Sequence, residues 1–173
     1  MKPQQQKAAL QALKQSLCSY CQLNDNTWAA FNNIARVKQV KKGELIYKAG
    51  EVPNSFCYVY QGLVRGFICD QNGTEYNKAF FDEGKFPGSM TALLTASPSV
   101  LSMEALEDST LIEIGFAGYR KLMLEKEDLK LFQIFYLEKN WLLDKDAREN
   151  DIIQKDATKR YLQFIKQYPS LLQ

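Results

Sequence analysis

Phe56-Cys57-Tyr58-Val59-Tyr60-Gln61-Gly62-Leu63-Val64-Arg65-Gly66-Phe67-Ile68-Cys69-Asp70-Gln71-Asn72-Gly73 is the stretch on which the fold class turns. Two runs rich in Val, Ile, Tyr and Phe flank Gly62, and the second ends in Asn72-Gly73. β-branched and aromatic residues favour the pleated strand, and Asn-Gly favours a tight hairpin because both residues tolerate positive φ. Working outward, the same texture spans residues 37–115, with strands expected at 37–40, 45–47, 56–61, 63–69, 74–81, 102–105 and 110–114. Gly43, Gly50, Gly62, Gly66, Gly73, Gly84 and Gly88 punctuate it. Many short strands with regular turns imply an antiparallel sandwich or barrel, and no strict internal repeat is visible.

On either side the period changes from two to about 3.6. Leu10, Leu13, Leu17 and Cys21 mark a first helix. Thr27 or Asn26 is placed to cap a second, which carries Trp28, Phe31 and Ile34. A short helix is expected over residues 117–124 and a long one over 128–153. The long helix bears Leu131, Ile134, Phe135, Trp141, Leu142 and Leu143, more apolar surface than a small β-domain can cover. A second copy of the chain is the expected partner, giving a homodimer. A last helix is capped by Asp156, carries Tyr161, Leu162, Phe164 and Ile165, and stops at Tyr168-Pro169. The expected organisation is N-terminal helices (1–35), β-roll (36–125), dimerisation helix (126–154) and a final helical segment (155–173).

Composition narrows the function. The 173 residues suffice for one domain with an appendage, and a net charge of +2 argues against a broad nucleic-acid-binding face or a polybasic membrane segment. No apolar run reaches bilayer length, and the N-terminal residues lack a signal-peptide pattern, so the protein is expected in the cytoplasm. Cys18, Cys21, Cys57 and Cys69 are then expected as free thiols. There are no histidines. Their absence removes Ser-His-Asp and Cys-His catalysis and histidine-ligated metals, so neither catalytic nor metal residues are expected. An enzyme on a cupin-like barrel is disfavoured on the same ground.

Order and spacing of several short motifs carry a resemblance. Lys42-Gly43-Glu44-Leu45-Ile46-Tyr47-Lys48-Ala49-Gly50-Glu51, then residues 56–65, the Asp70–Gly73 hairpin, Gly84-Lys85-Phe86-Pro87-Gly88-Ser89 and Met103-Glu104-Ala105-Leu106-Glu107-Asp108-Ser109 together resemble the Crp/Fnr superfamily of transcription regulators. The resemblance covers roughly residues 30–168. It implies an α+β chain. A jelly-roll-like antiparallel β-roll, a double-stranded β-helix, is flanked by N-terminal helices and a long C-terminal helix. It also implies a small-molecule effector in the roll, a two-fold dimer through the long helix, and DNA contact through a C-terminal helix-turn-helix. Asp156-Ala157-Thr158-Lys159-Arg160-Tyr161-Leu162 resembles the first helix of that DNA-binding part. The helix-turn-helix would follow Gln173, so either a truncated chain or a stand-alone regulatory protein without DNA binding is expected.

The resemblance also locates the ligand pocket. In members that bind cAMP, a glutamate meets the ribose and an arginine about ten residues on pairs with the phosphate. Those positions fall here on Ser89 and Ser99, and no Lys or Arg lies between Lys85 and Arg120. A buried phosphodiester needs a paired cation, so cAMP binding in the usual manner is not expected. Pocket candidates are Gly88, Ser89, Met90, Thr91, Ser99 and Val100, whose neutral hydroxyls suit an uncharged or weakly anionic effector. Arg65 and Arg148 are the reserve cations, although Arg65 reads chiefly as a surface ion pair and Arg148 chiefly as a partner of Asp144. Glu104 and Glu107 read chiefly as surface charge. Cys18-Ser19-Tyr20-Cys21 with Cys57 or Cys69 imitates an iron–sulfur or zinc ligand set, but Cys21 also continues an apolar stripe. Lys155, Lys159, Arg160 and Lys166 read as a solvated face or as phosphate contacts.

Overall fold

The computed structural model describes residues 3–154 and 156–169, the side chain of Arg148 excepted. It divides into two compact units, Met1–Phe132 and Gln133–Gln173.

The first unit is built around seven antiparallel strands: β1 (Ala35–Val40), β2 (Leu45–Tyr47), β3 (Ser55–Gln61), β4 (Val64–Cys69), β5 (Glu75–Phe81), β6 (Ser102–Ala105) and β7 (Ser109–Gly115). They form two sheets, β1-β7-β3 and β2-β6-β4-β5. The fold class is α+β, an antiparallel β-roll with helices at both ends. Between the sheets lie Val40, Cys57, Val59, Val64, Leu101, Met103, Ala105 and Leu111, with Ile46, Tyr47 and Phe81 packed against them. Gly66 makes room for its neighbour across the sheet, since a Cβ on it would stand 3.1 Å from Met103 Sδ.

β3 is buried on both faces: Cys57 and Val59 enter the core, and Phe56 and Tyr58 point the other way. That outer face carries an aromatic layer. Phe56 meets Tyr119 edge-on at 5.2 Å, Tyr119 meets Phe31 at 6.1 Å, Tyr58 meets Phe86 at 5.1 Å, and Phe86 meets Phe132 at 6.5 Å between ring centroids. It brings together α1 (Pro3–Cys18), α2 (Asp25–Asn32), α4 (Phe116–Glu125) and the first turns of α5 (Glu127–Leu137). Such edge-on ring pairs add to the burial of apolar area.

Two local expectations need correction. The hairpin between β4 and β5 uses positive φ at Gly73 alone, at +83°. Asp70 supplies the rest, its Oδ1 accepting from the backbone N–H of Asn72 (2.8 Å) and Thr74 (2.9 Å). The result is a three-residue loop with a glycine bulge instead of a two-residue turn. The cap of α2 is Asn24, not Asn26 or Thr27: its Oδ1 accepts from the Thr27 N–H at 2.8 Å.

The second unit holds the end of α5, a π-helical stretch Glu138–Leu143, α6 (Asp144–Gln154) and α7 (Ala157–Gln167). Helical residues do run from 127 to 154, but not as one uniform α-helix. Within Glu138–Leu143 the ladder widens to i→i+5, as where Asp144 N–H reaches Lys139 O. Asp156 caps α7 as expected, accepting from Lys159 N–H at 2.8 Å. Among the described residues no helix is long and apolar enough to cross a membrane.

Candidate functional site

After β5 the chain turns at Gly84 (φ +83°) and runs along the free edge of β3. Gly84 N–H donates to Val59 O (2.9 Å), Val59 N–H to Lys85 O (3.0 Å) and Cys57 N–H to Pro87 O (2.8 Å). This edge carries the loop to Gly88, where a Cβ would stand 2.7 Å from Phe56 Cβ. Only glycine permits that approach, and it sets Ser89 at the start of the short helix α3 (Met90–Thr95). Ala96 ends α3 in the left-handed conformation, φ 49°, and Ser97 N–H returns to Ala92 O. Ser99 is then pinned to the loop after β2: its N–H donates to Glu51 O (2.8 Å), and Gly50 N–H donates to its carbonyl (2.7 Å).

Gly88, Ser89, Met90 and Ser99 thus gather on one loop that closes back on the roll. Ser89 is 4% exposed and Ser99 3%. The Ser99 hydroxyl is already occupied, donating to Leu101 O (2.8 Å) and accepting from Leu101 N–H (3.0 Å). Ser89 makes no capping hydrogen bond from its side chain. Thr91 and Val100 belong to the same loop but turn outward, Val100 being 69% exposed.

Arg65 stands elsewhere. It alternates with Val64, which is in the core, and pairs across the sheet with Glu104. Its Nε donates to Glu104 Oε2 (2.7 Å), Nη2 to Glu75 Oε2 (2.6 Å) and Nη1 to Asn77 Oδ1 (3.2 Å), with the guanidinium 4.2 Å from the Phe67 ring centroid. Desolvation opposes the charge, but Glu104 and Glu75 outweigh it and hold the guanidinium above its ordinary value. The guanidinium is thus engaged by the carboxylates of Glu75 and Glu104. Glu104 is part of that cluster, not isolated surface charge. The side chain of Arg148 lies outside the described residues, as does Lys155.

Of the thiols, Cys57 is 4% exposed inside the core, and burial, with Glu113 nearby, pushes it up to about 12. Cys69 is exposed, and Cys18 and Cys21 are half-buried. Burial, Asp128 and Cys18 together raise Cys21. Among the described residues no three His, Cys, Asp or Glu side chains gather where they could hold a metal ion.

One residue not singled out in the sequence belongs to this region. Tyr47 packs on the core at the end of β2, and its hydroxyl is buried without a hydrogen-bond partner. Burial, with Cys57 nearby, pushes that phenol above its ordinary value. No periodicity marks such a group, because the sequence displays an aromatic strand residue and not the fate of its oxygen.

A family model described as the cyclic nucleotide-binding domain matches residues 37–126. The chain belongs to that family. The cyclic nucleotide-binding domain here takes in all of the roll except the first strand's opening residues, together with α4. Solved structures share the fold. The catabolite activator protein of Thermus thermophilus is 24% identical (TM-score 0.59), the match covering 75% of this chain and 58% of that one. The sensor domain of the transcriptional regulator DNR from Pseudomonas aeruginosa is 16% identical (TM-score 0.63), with 88% and 95% covered. The regulatory domain of Toxoplasma gondii PKA, solved with cAMP, is 16% identical (TM-score 0.58), with 84% and 49% covered. No curated protein sequence matches the chain.

Proposed function

We propose that this cyclic nucleotide-binding domain is the effector-sensing and dimerisation module of a Crp/Fnr-type transcription regulator, that it is not an enzyme, and that it has given up phosphate recognition. The observation that carries the last point is the loop from Gly88 to Leu101. It holds no Lys or Arg, and the hydroxyl at Ser99 is closed onto its own backbone. A cyclic phosphate placed there would lose its hydration and meet no cation. Arg65 is no substitute while two carboxylates hold it.

The sensing part of the reading draws on Phe86. It rides on the same loop that positions Gly88 and Ser89, and its ring meets Phe132 in α5. An effector that shifts this loop therefore acts on a ring packed against the helix that the reading assigns to dimerisation. That is the physical content of a population shift between two helix settings. Leu131, Ile134, Phe135, Trp141 and Leu142 are the dimer-facing residues of this reading. Ile134, Phe135, Trp141 and Leu142 are 48%, 41%, 54% and 63% exposed in the single chain. DNA contact would come from a domain joined to this one.

Restoring the two missing partners tests the reading. The double variant Ser89→Glu/Ser99→Arg is expected to gain a cAMP-dependent rise in melting temperature that the wild type lacks. A double variant that still melts cooperatively, yet gives no shift with cAMP, contradicts it.

A further inference from the structure

Cys18-Ser19-Tyr20-Cys21 finds no third metal-ligating side chain among the described residues, yet its two thiols are placed to meet each other. α1 ends at Cys18, but its hydrogen bonds run on: Ser19 N–H donates to Gln15 O (3.0 Å) and Cys21 N–H to Leu17 O (3.3 Å). The backbone therefore keeps the helical rise as far as Cys21. Helical residues three apart have Cα atoms about 5 Å from each other, within the span of about 4.4–6.8 Å that a disulfide bridges. Electrostatics agree, since Cys18 joins burial and Asp128 in raising Cys21. Both thiols are half-buried, so a small molecule can reach them, whereas Cys57 is closed inside the core. The segment they span is docked on α5. Tyr20, between them, meets Phe132 edge-on at 5.6 Å. Asn24, three residues past Cys21, gives its N–H (2.9 Å) and Nδ2 (2.8 Å) to Asp128.

We propose that Cys18 and Cys21 form a reversible disulfide couple, oxidised by a small-molecule disulfide, whose closure reseats Tyr20 on Phe132. One cysteine thiolate attacks the small disulfide, giving a mixed disulfide and releasing one small thiolate. The other cysteine thiolate then attacks the protein sulfur of that mixed disulfide and releases the second. Two cysteine thiols become one S–S bond, and the small disulfide leaves as two thiols that carry the two protons. Because the fold disfavours the Cys21 thiolate, it lends the reduced pair no extra stability, and the bond once formed is not strongly oxidising. Phe132 also meets Phe86 from the loop that positions Ser89, so the couple and that loop act on one ring. The couple itself stands independently of the effector-sensing reading, since neither cysteine lies on that loop.

The test treats the whole chain, wild type, Cys18→Ser and Cys21→Ser, with glutathione disulfide, then alkylates it and digests it with trypsin. In wild type the peptide 15–36, which holds both cysteines, is expected to lose both alkylation sites, to weigh less than the unalkylated dithiol peptide by two hydrogens, and to recover both sites after dithiothreitol. Each serine variant is expected to carry one glutathione on its remaining thiol instead. Hydrogen exchange at residues 129–132 is expected to change on oxidation of wild type and to stay the same in both variants. Wild-type protein that keeps both thiols open to alkylation, or that ends with a glutathione on each, overturns the proposal. So does a disulfide that closes while exchange at 129–132 stays unchanged, because the bond then has no effect on α5. These readouts need no cyclic nucleotide, so they separate this inference from the effector-sensing reading.

Discussion

Ala96 is the one described non-glycine residue with positive φ, at 49°. A Cβ in the left-handed region crowds the following carbonyl, and glycine avoids the penalty. Ala96→Gly is therefore expected to stabilise the domain by about 1 kcal/mol, read by urea unfolding. A loss of stability would show that the Ala96 methyl has a packing role. Cys57 gives a pH signature. Its folded value, about 12, lies above its ordinary 9.0, so the stability it contributes is complete below pH 9 and is lost as pH rises from there towards 12. The slope approaches about 1.4 kcal/mol per pH unit from this group alone. Glu113 adds to the upward shift and Lys38 opposes it. Cys57→Ala should be less stable at neutral pH but show a flatter decline above pH 9. Equal slopes in the two proteins would mean that the thiol ionises as readily folded as unfolded. The residue scale is also where the sequence was least legible. The core strand residues follow from alternation, but the partners of Arg65, Glu75 and Asn77 on β5 and Glu104 on β6, depend on which strands flank β4, and alternation does not give that order.

Elements were more legible. β2 and β6 fall on the expected residues, and the other strands differ by a residue or two at their ends, because aromatic and β-branched runs between glycines leave little alternative. The joints between elements were not visible. Asp128, expected only as the start of a helix, accepts from Asn24 N–H (2.9 Å), Asn24 Nδ2 (2.8 Å), Thr27 Oγ1 (2.9 Å) and its neighbour Leu129 N–H (3.0 Å). One carboxylate thus ties the first turn of α2 to the first turn of α5, and Thr27 is fully buried beneath it. Removing it leaves several donors unsatisfied. Asp128→Ala is expected to cost about 2 kcal/mol of stability, and Asp128→Asn less, by thermal or urea unfolding. An unchanged midpoint for Asp128→Ala would mean that water replaces the carboxylate at no loss. Within the loop that carries Ser89, the tolerance is steric: Gly88 sits against Phe56.

For the whole molecule, the apolar residues left exposed on α5, the π-helical stretch and α6 call for a partner surface. Leu143, Ile152 and Ile153 are 67%, 62% and 82% exposed, in addition to the residues proposed to face a second copy. Sedimentation at micromolar concentration is expected to give a dimer, and Trp141→Glu with Leu142→Glu a monomer whose roll still melts cooperatively. A wild-type monomer would rule out dimerisation through these helices. The sequence shows this surface as an excess of apolar residues, but the π-helical widening at Glu138–Leu143 has no composition signal of its own.

A roll that keeps the family's fold without a cation for a cyclic phosphate is expected to give no saturable heat when the wild-type chain is titrated calorimetrically with micromolar cAMP or cGMP. Saturable micromolar binding would contradict this, and would mean that a cation outside the Gly88–Leu101 loop reaches the phosphate.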